Sequence, residues 1–310
     1  MPAADPKPLA EMSLDELMNV QTSPFEVSAN LDEGYLASNS VSGSRFDAPI
    51  LELPFAIQAF TQGFIIDQKP VNIFDVARYS PGVTYRSNDF NEGNANLAIR
   101  GFAISSTPGN IQILRDGFHG PSILDLTNVA RVEVVKGPAS FLYGQVAPGG
   151  IVNVITKSPQ PEFAAVARAS YGSYGQYRFE PDVTGPLVKR RLFYRVVASY
   201  DQDIDYWDPY DAHSWNVSPS LLARPSDRLS ISLKFEHFRK TEAPQIMQKP
   251  GYGAQSGIVP STSDPNLSGV DVPGLPDTWN SMSDRDFRHS ESNGLSMWVD
   301  LKPDEHWDLR

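Results

Sequence analysis

The second half of the chain alternates apolar and polar residues in six separate runs, and this pattern restricts the fold more than any other feature. In the clearest run, Leu229–Glu236, every second residue is apolar and the residues between are serine, lysine or glutamate. Successive side chains of a β-strand point to opposite faces, so each run predicts a strand with one apolar and one polar face. The runs are residues 163–171, 177–184, 192–200, 215–221, 229–236 and 295–301.

Soluble β-sandwiches and membrane β-barrels both contain such strands, and the connections between the runs favour the barrel. Residues 185–190 and 225–227 are short connections, whereas residues 201–213 and 240–290 are long. Barrels place tight turns at one end and long loops at the other. Aromatic residues near the ends of runs also fit a membrane-interface girdle: Phe163, Tyr171, Tyr177, Tyr200 and Trp215. A soluble β-rich binding module remains the alternative.

Composition excludes several other classes of protein. No stretch approaches the roughly 20 consecutive apolar residues of a membrane helix. The net charge of −11 argues against nucleic-acid binding, and without cysteine the chain has no disulfides or thiolate chemistry. The N-terminus shows no signal peptide. Alone, that would favour a cytoplasmic protein, but a mature or trimmed chain explains it equally well.

The chain divides by composition into three parts. Residues 1–48 are a polar leader with a short amphipathic stretch behind Ser13, and residues 161–310 hold the alternating runs. Residues 49–160 predict a compact α+β domain, with a strand at 55–60 and a helical pattern around 73–77 that stops at Ser80-Pro81-Gly82. Short apolar runs bounded by glycine or proline follow at 97–100, 111–114, 131–135 and 151–156. The predicted fold is an α+β domain followed by antiparallel transmembrane β-barrel strands.

Four motifs in the α+β domain resemble those of TonB-dependent outer-membrane receptors of the siderophore type. They are LAIRGF at 97–102, LRDG at 114–117, RVEVVKGPASFLYG at 131–144 and PGGIVNVITK at 148–157. Upstream, Leu53–Asp67 and Asp75–Val83 resemble the opening strand and helix of the same domain. The resemblance implies that residues 49–160 are the plug that fills the barrel, and that residues 161–310 are its first strands. The matched plug residues are Arg100, Gly101, Arg115, Asp116, Gly117, Arg131, Glu133, Lys136, Gly137, Pro138, Tyr143, Gly144, Gly149 and Gly150.

The resemblance also implies partners. The leader would carry a Ton box at Phe25, Glu26, Val27, Ser28 and Ala29, which adds as a strand to the energy-coupling protein TonB. The alternative is a plain linker. Arg100, Arg131 and Glu133 would pair with carboxylates of the barrel, with simple surface pairing as the alternative. Outer-membrane lipid would surround the barrel.

The expected ligand is a ferric siderophore held by outward apices of the plug and by the long loops. Aromatic stacking and pairing with an anionic complex suggest six contact residues: Arg86, Phe90, Phe102, Tyr206, Trp207 and Tyr210. Iron would arrive inside its chelator, so we expect no cofactor and no protein metal site, and no catalytic constellation appears. Cobalamin, haem or oligosaccharide receptors of the same fold, and a passive structural or adhesive barrel, remain alternatives.

About six strands are too few for the family's barrel of about 22. Open strand edges cannot face lipid. The sequence therefore leads us to expect a fragment with an incomplete barrel.

Overall fold

The computed structural model describes residues 34–44, 48–70, 72–86, 96–104, 113–119, 125–138, 140–144, 148–203, 211–242, 287–304 and 307–309. These residues form an N-terminal domain of short elements and a sheet of long antiparallel strands. The amphipathic stretch behind Ser13 lies outside the described residues.

A five-stranded mixed sheet organises the N-terminal domain, with strand order β3-β9-β10-β7-β8. Strands β7 and β10 are parallel, and the other neighbours are antiparallel. Strands β4, β5 and β6 form a second small sheet, and β1 pairs with β2. The strands are β1 (Asn39–Ser40), β2 (Ala48–Pro49), β3 (Ala56–Phe60), β4 (Val83–Arg86), β5 (Asn96–Ile99), β6 (Phe102–Ile104), β7 (Ile113–Arg115), β8 (Phe118–His119), β9 (Val129–Lys136) and β10 (Gly150–Thr156).

In the described residues, three short α-helices accompany this sheet: α1 (Gln62–Gln68), α2 (Ile73–Ala77) and α3 (Ser140–Tyr143). The Thr61 hydroxyl accepts a hydrogen bond from the Phe64 N–H at the start of α1. The Asn72 side chain accepts from the Phe74 and Asp75 N–H groups at the start of α2. Such caps satisfy backbone donors that have no partner inside the helix. The sequence patterns predicted α2 but did not separate α1 from the strand before it.

The main core lies on one face of the five-stranded sheet. Val132 and Val134 of β9 and Val152 and Val154 of β10 pack there against α1, α2 and β5. A smaller cluster on the other face holds Leu114, Val135, Tyr143 and Ile151. Residues 131 and 133 of β9 share that second face, because side chains alternate along the strand.

Seven antiparallel strands in sequence order form the long sheet. All six predicted runs are strands, and the structure extends most of them and adds a seventh. They are β11 (Ala164–Tyr171), β12 (Tyr177–Val188), β13 (Leu192–Asp203), β14 (Ala212–Ser226), β15 (Leu229–Glu242), β16 (Arg288–Asp304) and β17 (Trp307–Leu309). Each strand pairs with the next one in the chain. The predicted division between the domains at 160/161 falls between β10 and β11, and it stays a prediction.

The long sheet buries its polar face and exposes its apolar face, which is the reverse of a soluble protein. Thr184, Asn216 and Ser218 are only 2%, 1% and 2% exposed. On the opposite face, Leu295 and Met297 are 71% and 66% exposed. Further exposed outward residues are Tyr177, Phe179, Val196, Leu221, Leu233, Phe235, Val299 and Leu301. An apolar face of this extent requires an apolar medium, and it is incompatible with a sandwich that buries its apolar face between two layers.

In the described part of the chain, no helix is both long and apolar enough to cross a membrane.

A charge on the outward face tests whether this face meets lipid. Leu233 lies opposite Leu221 of β14 and Met297 of β16, so it sits within a continuous apolar row. We expect Leu233→Arg to lower the free energy of unfolding in lipid vesicles by about 2–4 kcal/mol if the site is near mid-depth. Chemical denaturation followed by fluorescence measures this. Asp227→Arg in the exposed β14–β15 turn is the control and should be neutral; equal effects at both positions would contradict the assignment.

Candidate functional site

The buried polar face of the long sheet lies against the N-terminal domain through three clusters of charged and polar side chains. These clusters contain most of the cross-domain hydrogen bonds between described residues. We call them the hairpin cluster, the Asp125 cluster and the junction cluster, and their residues are given below.

The hairpin cluster joins the β7–β8 hairpin to β15. Arg115 forms an ion pair with Glu236, and the Asn128 amide donates to the same carboxylate at 3.3 Å. Lys234 donates to the Thr156 hydroxyl at 2.7 Å, and its Nζ lies 3.6 Å from the Asp116 carboxylate. Burial lowers the pKa of Arg115, while Asp116 and Asp125 oppose that effect.

The turn of this hairpin explains the Arg-Asp-Gly motif. Asp116 and Gly117 both have positive φ, at 47° and 81°. The Asp116 carboxylate accepts hydrogen bonds from the Thr156 N–H at 2.8 Å and the Thr156 hydroxyl at 2.6 Å. The Gly117 N–H donates to the Asn153 side chain at 2.9 Å. These bonds fix the hairpin on β10, so Arg115 is directed at the long sheet.

The Asp125 cluster joins the loop before β9 to strands β12 and β13. Arg178 donates to Asp125 at 3.0 Å and to the Thr127 hydroxyl at 2.6 Å, and Ser199 donates to Asp125 at 2.6 Å. Thr127 in turn donates to Glu180 at 2.8 Å. Burial alone would raise the pKa of Asp125, but Arg178 and the hydrogen bonds from Ser199 and Thr127 hold it below its usual value. Asp125 is therefore an anion at neutral pH.

The junction cluster lies where the N-terminal domain leads into the long sheet. Asp182 of β12 accepts from Lys157 at 2.9 Å and from Arg195 of β13 at 2.7 and 2.8 Å. Arg195 also donates to the Ser158 carbonyl at 3.0 Å. Burial lowers the pKa of Lys157, and the Asp182 carboxylate partly restores it. Two cations on one buried carboxylate anchor the end of β10 to the long sheet.

The predicted pairing of Arg131 and Glu133 with barrel carboxylates is wrong. Both belong to β9, which lies between β3 and β10, and they are 1% and 0% exposed. Arg131 pairs with Glu133 at 3.2 Å and donates to the Asn39 carbonyl at 2.7 Å. Residues 39–42, which we call the strap, cover them. The Ser40 hydroxyl donates to Glu133 at 2.6 Å and the Ser42 N–H at 3.0 Å.

Arg100 also differs from its predicted role. It lies in the tight β5–β6 turn with a φ of 51° and is exposed. Within the described ranges it contacts no carboxylate of the long sheet. Its guanidinium lies beside Gly137, 3.7 Å from where a Cβ would be. Burial, together with nearby Arg100, lowers the pKa of Lys136.

Most of the remaining motif residues shape the backbone of the plug, and Tyr143 acts through its side chain. The Gly137 N–H donates to the Gly149 carbonyl at 2.9 Å, and the Tyr143 hydroxyl donates to the Ser42 carbonyl of the strap at 2.8 Å. A Cβ on Gly149 would lie 2.2 Å from the Ile99 carbonyl oxygen. Gly101 and Gly144 have positive φ, and Pro138 is exposed.

Most predicted ligand contacts fall where the structure gives no description. Phe102 is half-exposed on β6, and Arg86 is the last residue of β4. Outside the described residues lie Phe25, Glu26, Val27, Ser28, Ala29, Phe90, Tyr206, Trp207 and Tyr210. In the part that is described, no three histidine, aspartate or glutamate side chains are grouped closely enough to hold a metal ion.

Comparison with known proteins matches residues 49–151 to the TonB-dependent receptor plug domain. The metal-pseudopaline receptor CntO of Pseudomonas aeruginosa is 33% identical over 212 residues, which are 68% of this chain and 30% of that protein. The ferrichrome outer membrane transporter and phage receptor of Escherichia coli is 30% identical over 201 residues, which are 63% of this chain and 27% of the relative.

The chain belongs to the TonB-dependent receptors. Solved structures show the same fold: FpvA of P. aeruginosa, bound to heterologous pyoverdines, has a TM-score of 0.74 at 21% identity, over 92% of this chain and 36% of FpvA. BauA, the ferric preacinetobactin receptor of Acinetobacter baumannii, has a TM-score of 0.69 at 20% identity, over 89% of this chain and 38% of BauA. The chain spans about a third of the length of its matched relatives.

Family membership confirms three predictions. The fold is a plug followed by antiparallel barrel strands. The location is the outer membrane, and the family comprises receptors and transporters rather than enzymes.

Sequence reasoning missed most plug–barrel contacts. It did not single out Asp125 and Lys157 on the plug side, or Arg178, Asp182, Arg195, Lys234 and Glu236 on the barrel side. One signal was available, because each of the five barrel residues occupies a polar position of an alternating run. Charged side chains on the face turned away from lipid must meet water or the plug.

The second glycine of the plug's Pro-Gly-Gly motif, Gly150, gives one test. Gly150 has a φ of 141°, and a Cβ there would lie 2.1 Å from the Val135 carbonyl oxygen of β9. Gly144 also has positive φ, but a Cβ there meets nothing within 4 Å. We expect Gly150→Ala to destabilise the plug by about 2–4 kcal/mol, from strain plus overpacking, and Gly144→Ala by about 1 kcal/mol. Protease resistance of the plug reports both, and equal losses would refute the close approach.

The Asp125 cluster gives a pH-dependent test. Asp125→Asn removes a buried carboxylate that accepts charge-assisted hydrogen bonds. It should lower the free energy of unfolding by about 1.5–3 kcal/mol at neutral pH. The folded pKa is depressed, so this stability is present above the unfolded value of about 3.9 and lost as pH falls through the folded pKa. Thermal unfolding in detergent from pH 7 to 3 should show the variant and wild type converging below about pH 4. Asp227→Asn in an exposed turn is the control, and a constant difference down to pH 3 would exclude ionised Asp125 as the cause.

Proposed function

We propose that this protein imports a ferric siderophore across the outer membrane and uses energy delivered by TonB. The plug holds the barrel closed at rest, and the complex binds on the outer side before it passes inward. The similarity to the ferrichrome transporter and to the ferripyoverdine receptor of P. aeruginosa, 31% identical over 187 residues, supports this substrate class.

The observation that carries the proposal is the inverted long sheet with a plug bound to its polar face. A passive structural barrel has no need of a folded domain inside it. Here three polar clusters hold such a domain against the wall. Buried ion pairs of this kind add little net stability, because desolvation offsets much of the attraction. The arrangement therefore supports a closure that can be opened.

TonB is the proposed partner at the Ton box Phe25–Ala29. The strap follows this segment in the chain and lies on the buried Arg131–Glu133 pair. A pull on the leader therefore reaches the plug sheet at β9 before it reaches any of the three clusters. This chain order supports energy coupling through the leader.

Iron is proposed as cargo rather than as a resident cofactor. The chelator would supply its ligands, and the plug and loops would contact only the chelator. Arg86, Phe90, Phe102, Tyr206, Trp207 and Tyr210 remain proposed contacts.

A metal–pseudopaline complex is the second candidate. It is favoured by the 33% identity to a receptor named for metal-pseudopaline.

Uptake by whole cells tests the proposal. The gene for this protein is expressed in a host that lacks siderophore receptors of its own. The cells receive radiolabelled ferrichrome, ferrioxamine B or ferripyoverdine, or a radiolabelled metal–pseudopaline complex. We expect energy-dependent uptake of at least one ferric complex, abolished by a protonophore. Uptake of a pseudopaline complex alone would select the second candidate, and uptake of none would refute both.

Deletion of Phe25–Ala29 separates an energised importer from a passive barrel. Import should fall at least tenfold while binding at the cell surface stays within twofold of wild type. An equal deletion, Asp5–Leu9, is the matched control and should leave both unchanged. Import that survives loss of Phe25–Ala29 would contradict coupling at this segment.

A further inference from the structure

A cavity of about 420 Å³ lies between the plug's β7–β8 hairpin and strands β15 and β16. Its plug side includes Arg115, Phe118 and Asn128, and its barrel side includes Lys234, Gly294 and Trp298. Cavities that bind small molecules have roughly 300–1,000 Å³, so this one has room for a chelating group of a siderophore or for a small complex.

Trp298 is the feature that points to a ligand. Its side chain is 6% exposed, and its indole N–H is buried without an acceptor among the described residues. Buried polar groups are nearly always hydrogen-bonded, and one left unpaired costs free energy. A tryptophan that lines a cavity with an unpaired donor is therefore suited to a guest that brings an acceptor.

The other groups around the cavity fit the same kind of guest. Lys234 Nζ lies 5.3 Å from the centroid of the Trp298 ring. The centroids of the Phe118 and Trp298 rings are 6.3 Å apart. Phe118 is 57% exposed, so its ring is available for stacking. Together these residues offer one neutral N–H donor, one ammonium group and two aromatic rings. Oxygen-rich planar groups, such as hydroxamates, catecholates and carboxylates, match that set.

Gly294 provides the space. It lies in the middle of β16, opposite Glu236 of β15, and a Cβ there would meet nothing within 4 Å. No close contact in the described structure therefore requires glycine at this position. Glycine weakens a strand interior and marks places where another group approaches the backbone, and here the cavity is that place.

The charges at the cavity are balanced, which suits passage rather than tight binding. Arg115 is paired with Glu236, and Lys234 is shared between Thr156 and Asp116. A guest that accepts from Lys234 exchanges one acceptor for another and leaves no charge unpaired.

We propose that this cavity is a transit site at which the oxygen-rich face of the imported chelate binds between plug and barrel wall, with Trp298 as donor and Lys234 as cation. The proposal rests on the import function above and adds the route, along β15 and β16.

Filling the cavity tests the route. Gly294→Trp places a large side chain in open space. We expect it to reduce import of the best substrate from the uptake panel at least tenfold, with surface binding within twofold of wild type. Val299→Trp adds the same bulk to the outward face of the same strand and should import normally. Wild-type import by Gly294→Trp would overturn the transit site.

Trp298→Phe tests the donor without removing the ring. If the indole N–H serves the chelate, import should fall about three- to tenfold while the thermal unfolding temperature stays the same or rises. A purely structural tryptophan would lower stability and leave import unchanged. Unchanged import and unchanged stability would show that water alone occupies the site, and this also overturns the proposal.

The import function and the transit site can be disproved separately. If wild-type cells import no chelate, the proposed function is wrong. If they import one and both cavity variants import it equally well, the function stands and the transit site is wrong.

Discussion

The polar face of the long sheet is the constraint on which the rest of the structure depends. A strand that faces lipid on one side must place its polar side chains on the other, where they need water or protein partners. Here the plug supplies those partners. Asp125, Arg115 and Lys157 each reach a different part of the sheet, between β12 and β15. The polar residues that cannot face lipid are therefore the residues that bind the plug.

The plug–wall contacts combine firm closure with the capacity to open. Each cluster contains more than one donor for a carboxylate, so a carboxylate that loses one partner keeps another. Asp182 has Lys157 and Arg195, and Glu236 has Arg115 and Asn128. A buried charge left wholly unpaired is costly, whereas a change of partner is not. An apolar interface of equal area would hold the plug but offer no such intermediate steps.

Much of the fold was predictable from sequence because period-2 alternation is a local property. All six runs became strands, and their short and long connections have the predicted order. The plug strands β3, β5, β7, β9 and β10 were also found, since glycine and proline bound them. Strands β6 and β8 and helices α1 and α3 were missed, because none of these short elements carries a periodic pattern of its own. The site was harder to predict. The pairing of charges across a domain boundary depends on strand register and on how the domains dock, and local sequence determines neither.

Arg131 and Glu133 show where such reasoning stops. Alternation along β9 correctly separates Val132 and Val134 from the two charged residues, so it identifies two faces. It does not say what covers the second face. The barrel wall was the expected cover, but the strap occupies that position and bonds to the pair through the Asn39 carbonyl, the Ser40 hydroxyl and the Ser42 N–H. The strap's own sequence, Asn-Ser-Val-Ser, carries no pattern that predicts this role. A charged pair in a central strand requires a polar cover, and a short segment with free backbone groups provides it as well as a barrel does.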